Sequence, residues 1–223
     1  MDTRIARVGA AAGWLSLAMI FAYHIGLTIL AGQRVSGTTD VAAIEAYYRN
    51  GVIAPASILT FLAVLPLSVF ALALREALGG STRTRFVATL ALILVVVEMP
   101  GILAQGALEA TLVTIASRGG DIVPLFRFWD VLYNSALYVL EAGWVAAFGI
   151  AMSGNIAFPR WLPRFSVAVA AVQLVNMAAI WVGIPDQATL VGNMGFGIWI
   201  GAASFGLTRL ATASVRRMVA QPV

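Results

Sequence analysis

The chain has 223 residues, of which 61% are hydrophobic and 11% charged, and its mean hydropathy is +0.91. Because a soluble domain is about 25% charged, this composition is typical of an integral membrane protein. The net charge of +4 comes from arginines spread over short loops, so we attribute it to membrane topology and exclude nucleic acid as a partner.

Several chemistries are excluded by residues that the sequence lacks. All 14 basic residues are arginines and there is no cysteine, which removes Schiff bases, disulfides, thiolate nucleophiles and iron–sulfur clusters. His24 is the single histidine, so a histidine-rich metal site or a bis-histidine haem cannot form. Nucleotide-binding, zinc-protease and serine-hydrolase motifs are missing as well. We therefore expect no metal and no cofactor.

Six stretches are long and apolar enough to cross about 30 Å of hydrocarbon as helices. No linker or composition break separates them, so we predict a single domain, residues 1–223, folded as an all-α polytopic membrane bundle. The predicted transmembrane helices are Val8–Ala31, Val52–Leu74, Phe86–Ala116, Leu125–Met152, Phe165–Ile184 and Leu190–Leu207.

The arginines predict the orientation of this bundle. Ten of the 14 fall on the side that carries both termini, and only Arg34, Arg49, Arg118 and Arg127 fall on the other side or its membrane edge. The positive-inside rule then places both termini in the cytoplasm.

The first outside loop is predicted to contain a short amphipathic helix. Thr39 or Asp40 can cap it, and Ile44 with Tyr47 or Tyr48 has helical spacing. We interpret it as a helix on the membrane surface, with its tyrosines at headgroup depth. The alternative is a lid over an outward-facing cavity.

The third predicted helix carries a polar stripe. Glu98, Gln105 and Glu109 lie within about 40° of one another if the helix is straight. Pro100 predicts a kink beside Glu98, because proline removes a backbone hydrogen bond and crowds the preceding turn. Glu98 is expected near the middle of the membrane, and Gln105 and Glu109 near its outer edge.

The fourth predicted helix carries a matching stripe within an arc of about 80°. Its members are Arg127, Asp130, Asn134, Tyr138 and Glu141. Polar side chains that face lipid are costly, so both stripes should face the bundle interior. Arg127 and Asp130, three residues apart, can pair on one face.

The two stripes and His24 predict a polar pocket that opens outward, with Glu141 at its floor. For Arg127, Asp130 and Glu109 we favour a structural ion pair at the outer edge, and for His24 a structural hydrogen bond. The predicted ligand-binding residues are Glu98, Gln105, Asp130, Asn134, Tyr138, Glu141 and His24.

Glu98 and Glu141 are the candidates for chemistry. The one nearby arginine, Arg127, already has Asp130, so at least one of the two carboxyl groups is expected to be protonated at rest. Such a group can relay a proton or protonate a substrate. The competing interpretation is a hydrogen-bond network that only fixes helix packing.

The sixth predicted helix contains a pair of small residues, Gly197 and Gly201. Such a pair permits close helix approach. We expect packing within the bundle, and contact with a second copy or a partner subunit is the alternative.

The opening TRIARVGAAAGWL, the six-span layout and PRWLPRFSVAVAAVQL at the start of the fifth helix resemble a group of uncharacterised six-span bacterial membrane proteins. The resemblance implies this topology and a bacterial inner-membrane location. Membrane lipids are the partners expected for such a chain. It implies no catalytic residues.

Three functions remain open. The first is a pocket that binds or moves a small amphipathic or cationic molecule or lipid. The second is a cofactor-free intramembrane acid/base enzyme, an isomerase or cyclase acting on an isoprenoid or lipid. The third is an accessory subunit, which requires the polar stripes to face out of the bundle.

Overall fold

The computed structural model describes residues 2–32, 35, 40–181 and 189–219. The side chains at positions 134, 179–180, 189–190 and 214–219 are outside this description. The described residues form helices and loops without a strand, which confirms the all-α fold. The helices are α1 (Thr3–Ala31), α2 (Val41–Tyr48), α3 (Ile53–Ala77), α4 (Thr82–Ser117), α5 (Val123–Val131), α6 (Leu137–Met152), α7 (Leu162–Trp181) and α8 (Thr189–Val219).

Long apolar helices indicate a membrane protein. In the described part of the chain α1, α3 and α4 are long and apolar enough to cross a membrane, and α6 and residues 162–178 of α7 are shorter apolar helices. Large apolar side chains also cover the outer surface, among them Ile29 (74% exposed), Leu65 (71%) and Phe86 (70%). A surface of this kind is stable against lipid and costly in water.

The ends of the helices collect into two groups. At one end the start of α1 meets the end of α3, and the α3–α4 and α6–α7 loops lie side by side. We call this the arginine end, because it carries the described arginines Arg4, Arg7, Arg75, Arg83, Arg85, Arg160, Arg164 and Arg209. The opposite end, where α2 packs against α4 and α5, is called the α2 end. Three of the four arginines predicted for this side, Arg49, Arg118 and Arg127, lie at the α2 end, and Arg34 lies outside the described residues.

Close backbone contact holds the arginine end together. A Cβ atom added to Gly13 of α1 would lie 2.1 Å from the Ser204 hydroxyl, and one added to Gly9 would lie 2.1 Å from the Ala73 side chain. These glycines therefore let α1 approach α3 and α8 closely. We call this packing, centred on Gly9, Gly13, Phe70, Ala73 and Ser204, the small-residue core.

Aromatic rings fill the α2 end. Tyr48 of α2 packs edge-on against Phe126 and Trp129 of α5, with ring centroids 6.0 and 6.2 Å apart, and Trp129 stacks on Tyr133 at 5.4 Å. These rings and Tyr47 are buried, and we call the five residues the aromatic core.

The predicted short helix is present as α2. Asp40 caps it by accepting from the backbone N–H groups of Ala42 and Ala43, whereas Thr39 lies outside the described residues. Tyr47 and Tyr48 are buried among protein side chains. The expectation of tyrosines at headgroup depth stays a prediction, and the Tyr48 ring packs against α5.

A π-helical turn, Leu132–Ala136, joins α5 to α6, and the Leu137 N–H donates to the Leu132 carbonyl five residues back. The π turn holds one residue more than an α turn. The side chains of α5 are therefore rotated by about 100° about the helix axis, compared with their positions in an unbroken α-helix. The expectation of one continuous polar face is therefore wrong. Phe126 and Trp129 face the interior, while Arg127 is exposed and Asp130 half-buried.

The predicted small-residue pair on α8 packs within the chain. A Cβ on Gly197 would lie 3.1 Å from the Phe21 ring, and one on Gly201 would lie 3.5 Å from Trp14. The surface considered for a second copy or a partner subunit is thus covered by α1.

Candidate functional site

A cavity of about 110 Å³ lies between the two cores. Tyr133 of the aromatic core and Tyr23, which packs with that core, line it from the α2 end. Leu67 and Phe196, which pack in the same cluster as Phe70, line it from the arginine end. Its walls come from α1, α3, α4, the π turn, α6 and α8. This position places it inside the helix bundle.

The cavity collects most of the residues predicted for the site. His24, Glu98, Gln105, Tyr138 and Glu141 line it together. The remaining two predicted ligand-binding residues differ: Asp130 is not in the lining, because the π turn rotates it away, and the side chain of Asn134 lies outside the described residues. Two stripes predicted from separate helices thus meet in one space.

Glu98 is held by a tryptophan. It lies near the middle of α4, which continues through Pro100 as one helix from Thr82 to Ser117, and its side chain is buried. The indole N–H of Trp144 on α6 donates to Glu98 Oε2. A buried indole N–H usually finds an acceptor, so this bond fixes both the carboxyl group and the ring.

Glu141 lies one turn before Trp144 on α6, and its carboxyl group is also buried. The Gln173 side-chain amide, fully buried on α7, donates to Glu141 Oε1. The two cavity carboxyl groups are close enough to repel one another when both are ionised. No arginine is found among the described residues that line this space, and His24 is its one basic side chain.

Glu109 occupies a separate position nearer the α2 end. It is fully buried and is not part of the cavity lining. The Tyr23 hydroxyl donates to its Oε2 atom at 2.5 Å, and the Ser57 hydroxyl lies 2.9 Å from the same atom. The ion pair of Glu109 with Arg127 and Asp130 stays a prediction. Tyr23 connects Glu109 to the cavity, because it also lines that space.

Three tyrosines line the cavity together with the two carboxyl groups. Tyr133 and Tyr138 line the cavity with ring centroids 5.9 Å apart, and Tyr23 meets the His24 ring edge-on at 5.1 Å. Aromatic faces carry partial negative charge and attract cations. The rest of the lining is mostly aliphatic.

Sequence reasoning missed three side chains that belong to this site or contact it. Thr60 lines the cavity, and its buried hydroxyl has no hydrogen-bond partner among the described residues. It could have been noticed because it shares a face of α3 with Ala63 and Val64. Trp144 could have been noticed as a buried donor three residues after Glu141, on the same helix face. Tyr23, which binds Glu109, carried no signal in the local sequence.

The site thus combines two carboxyl groups, one imidazole and aromatic walls in a volume of about three to four water molecules. In the described part of the chain no three His, Asp or Glu side chains are grouped so that they could hold a metal ion. No protein-family model, curated protein or solved structure matches this chain.

Proposed function

We propose that this chain is a six-span protein of the bacterial inner membrane, with both termini in the cytoplasm, whose intramembrane cavity binds a small organic cation. The observation that carries the proposal is an interior cavity lined by two buried glutamates and three tyrosines, with no arginine in its described lining.

The six-span topology is supported by the helices and the arginines. Six helical segments have bundle length: α1, α3, α4, Val123–Met152 with its π turn, α7 and α8. Eight described arginines lie at the arginine end, against Arg49, Arg118 and Arg127 at the α2 end. This asymmetry favours a cytoplasmic arginine end, and the resemblance to six-span bacterial membrane proteins agrees with it.

The electrostatics of the cavity supports a cationic ligand. The hydrogen-bond donors described for Glu98 and Glu141 are a neutral indole and a neutral amide. A buried carboxylate is costly unless a positive charge is near. A bound cation would offset that cost, and its methyl or amine groups would contact the tyrosine faces.

The volume limits the size of the ligand. Sites for drug-sized molecules are roughly 300–1,000 Å³, whereas this cavity is about 110 Å³. The ligand class is therefore a cation of few heavy atoms, such as a methylated ammonium or a guanidinium, or one such group of a larger molecule.

The test compares a cation with a neutral molecule of similar shape. The protein in lipid nanodiscs is titrated with tetramethylammonium and, separately, with tert-butanol, and thermal stability and native mass are measured. We expect the cation to stabilise the fold, by roughly 2.7 kcal/mol at one hundred times its Kd, and tert-butanol to have no effect. Glu98→Gln and Glu141→Gln should each weaken binding at least tenfold.

Glu109→Gln is the matched control, because Glu109 is buried on the same helix as Glu98 and does not line the cavity. This variant should bind tetramethylammonium as the parent does. Equal stabilisation by tert-butanol, or unchanged binding in both cavity variants, would show that the carboxyl groups are structural and that the proposal is wrong.

The two alternatives have less support. An isoprenoid isomerase or cyclase needs a much larger cavity, although His24 and the two glutamates are suitable acids and bases. An accessory subunit requires polar stripes that face out of the bundle, whereas the side chains of Glu98, Gln105 and Glu141 line the interior.

A further inference from the structure

The helix that runs from Val123 to Met152 carries an aromatic face and a polar face, and the polar residues each lie one position after an aromatic residue. Its buried face at the α2 end consists of Phe126 and Trp129, followed by Tyr133 in the π turn. Arg127 and Asp130 each follow one residue after a ring of that face. In an unbroken α-helix, Arg127 and Asp130 share a face with Tyr138 and Glu141.

The π turn decides which face points inward. It holds one residue more than an α turn, and its conversion into α-helix rotates α5 by about 100° and lengthens the helix by about 1.5 Å. The rotation moves Arg127 into the place of Phe126 and Asp130 into the place of Trp129. A single local change thus exchanges an aromatic wall for a polar one.

We infer that the π turn is a register switch that controls access to the cavity. In the π register, Tyr133 lines the cavity at the α2 end, and Trp129 and Phe126 stack behind it. In the α register, Asp130 and Arg127 line a polar route from that end to Glu141. The inference rests on the proposed function, because it supplies the path by which a cation enters the site.

Two local features support such a switch. The Ser135 hydroxyl donates to the carbonyl of Val131, the residue just before the π turn, and side-chain hydroxyls can satisfy carbonyls where a helix ladder is broken. The loop before α5 contains Gly119, with φ of +73°, followed by Gly120. Glycine adopts such angles without strain, so this loop can absorb a one-residue shift of α5.

The absence of native cysteine permits a direct test with introduced cysteine pairs. One pair is Tyr48→Cys with Phe126→Cys, whose native rings lie 6.0 Å apart. The other is Tyr48→Cys with Arg127→Cys. A short bis-thiol cross-linker is applied to each in nanodiscs. The register described here allows the first link, and the α register allows the second. We expect both to form.

Deletion of Ala136 removes the extra residue of the π turn. We expect it to reduce linkage of the Phe126 pair at least tenfold and to raise linkage of the Arg127 pair. Deletion of Ile156, an exposed residue of the α6–α7 loop, is the matched control and should change neither rate.

Linkage of the Phe126 pair without any linkage of the Arg127 pair would show that the π turn is static and would overturn the inference. That comparison uses the full-length chain and stands even if the Ala136 deletion does not fold. Binding of tetramethylammonium together with a static π turn would contradict the register switch and support the proposed function. Linkage of both pairs without cation binding would contradict the proposed function and support the register switch.

Discussion

The two cores on either side of the cavity are built in different ways. In the small-residue core, the α1 backbone at Gly9 and Gly13 packs directly against the side chains of Ala73 and Ser204, and an added Cβ atom would overlap them. In the aromatic core, large rings of Tyr48, Phe126 and Trp129 keep the backbones apart and contact one another by their faces and edges.

This difference predicts that the small-residue core is rigid and that the aromatic core can rearrange. A helix backbone packed directly against its neighbours at glycine can shift only if whole helices separate, because protein interiors are closely packed. The rings contact one another through side chains alone, so a ring can give way to a neighbouring side chain by a rotamer change that leaves the helix axes in place. We expect the arginine end to keep the bundle together and the α2 end to move.

The largest effect should follow removal of the central ring of the aromatic core. Trp129→Ala is expected to lower the free energy of unfolding by about 3–5 kcal/mol, because a fully buried indole leaves a cavity. Amide exchange should rise at α2 and α5 and stay unchanged in the first half of α1. Trp161→Ala, at a half-exposed ring, is the control. Exchange that rises evenly along the chain would contradict the separation of the two ends.

A smaller effect should follow a single methyl group at the small-residue core. Gly13→Ala is expected to destabilise the fold by about 1–3 kcal/mol through overpacking against Ser204 and Phe70. Gly26→Ala is the matched control on the same helix, because nothing lies within 4 Å of its added Cβ atom. Thermal unfolding in one detergent should separate the two variants. Equal stability would show that α1 can move away freely.

The smallest effect should follow loss of the helix caps at the two ends. Asp40→Ala removes the acceptor for two N–H groups of the eight-residue α2 and should cost about 1 kcal/mol. Amide exchange in α2 should increase. Asp2→Ala removes the cap of the 29-residue α1 and should fray only its first turn. Comparable exchange in both helices would mean that tertiary contacts alone hold α2.

The sequence predicted the helices well because hydrophobic length and capping are local properties. The span predicted as Val52–Leu74 is α3, Ile53–Ala77, and the helix expected after Asp40 is α2. The meeting of Glu98 with Glu141 was also predictable, because buried polar stripes on neighbouring helices have to face the same interior.

The environment of Asp130 was not predictable, because a fixed rotation of 100° per residue cannot represent a π turn. Whether that turn forms depends on which side chains of α5, the aromatic or the charged ones, pack better against α2. Such packing is a tertiary contact that a local pattern does not specify. The bond from Tyr23 to Glu109 joins residues 86 apart in the sequence, and no local pattern specifies it.

The length of α4 links the cavity to the lipid around it. With 36 residues, the helix is roughly 54 Å long, against about 30 Å of hydrocarbon in a typical bilayer. It must tilt or project, and the degree of tilt depends on the chain length of the lipid. Hydrophobic mismatch therefore acts on the same helix that carries Glu98 and Gln105. Bilayer thickness thus becomes a variable in every binding measurement on this protein, and nanodiscs of two lipid chain lengths should not give the same affinity.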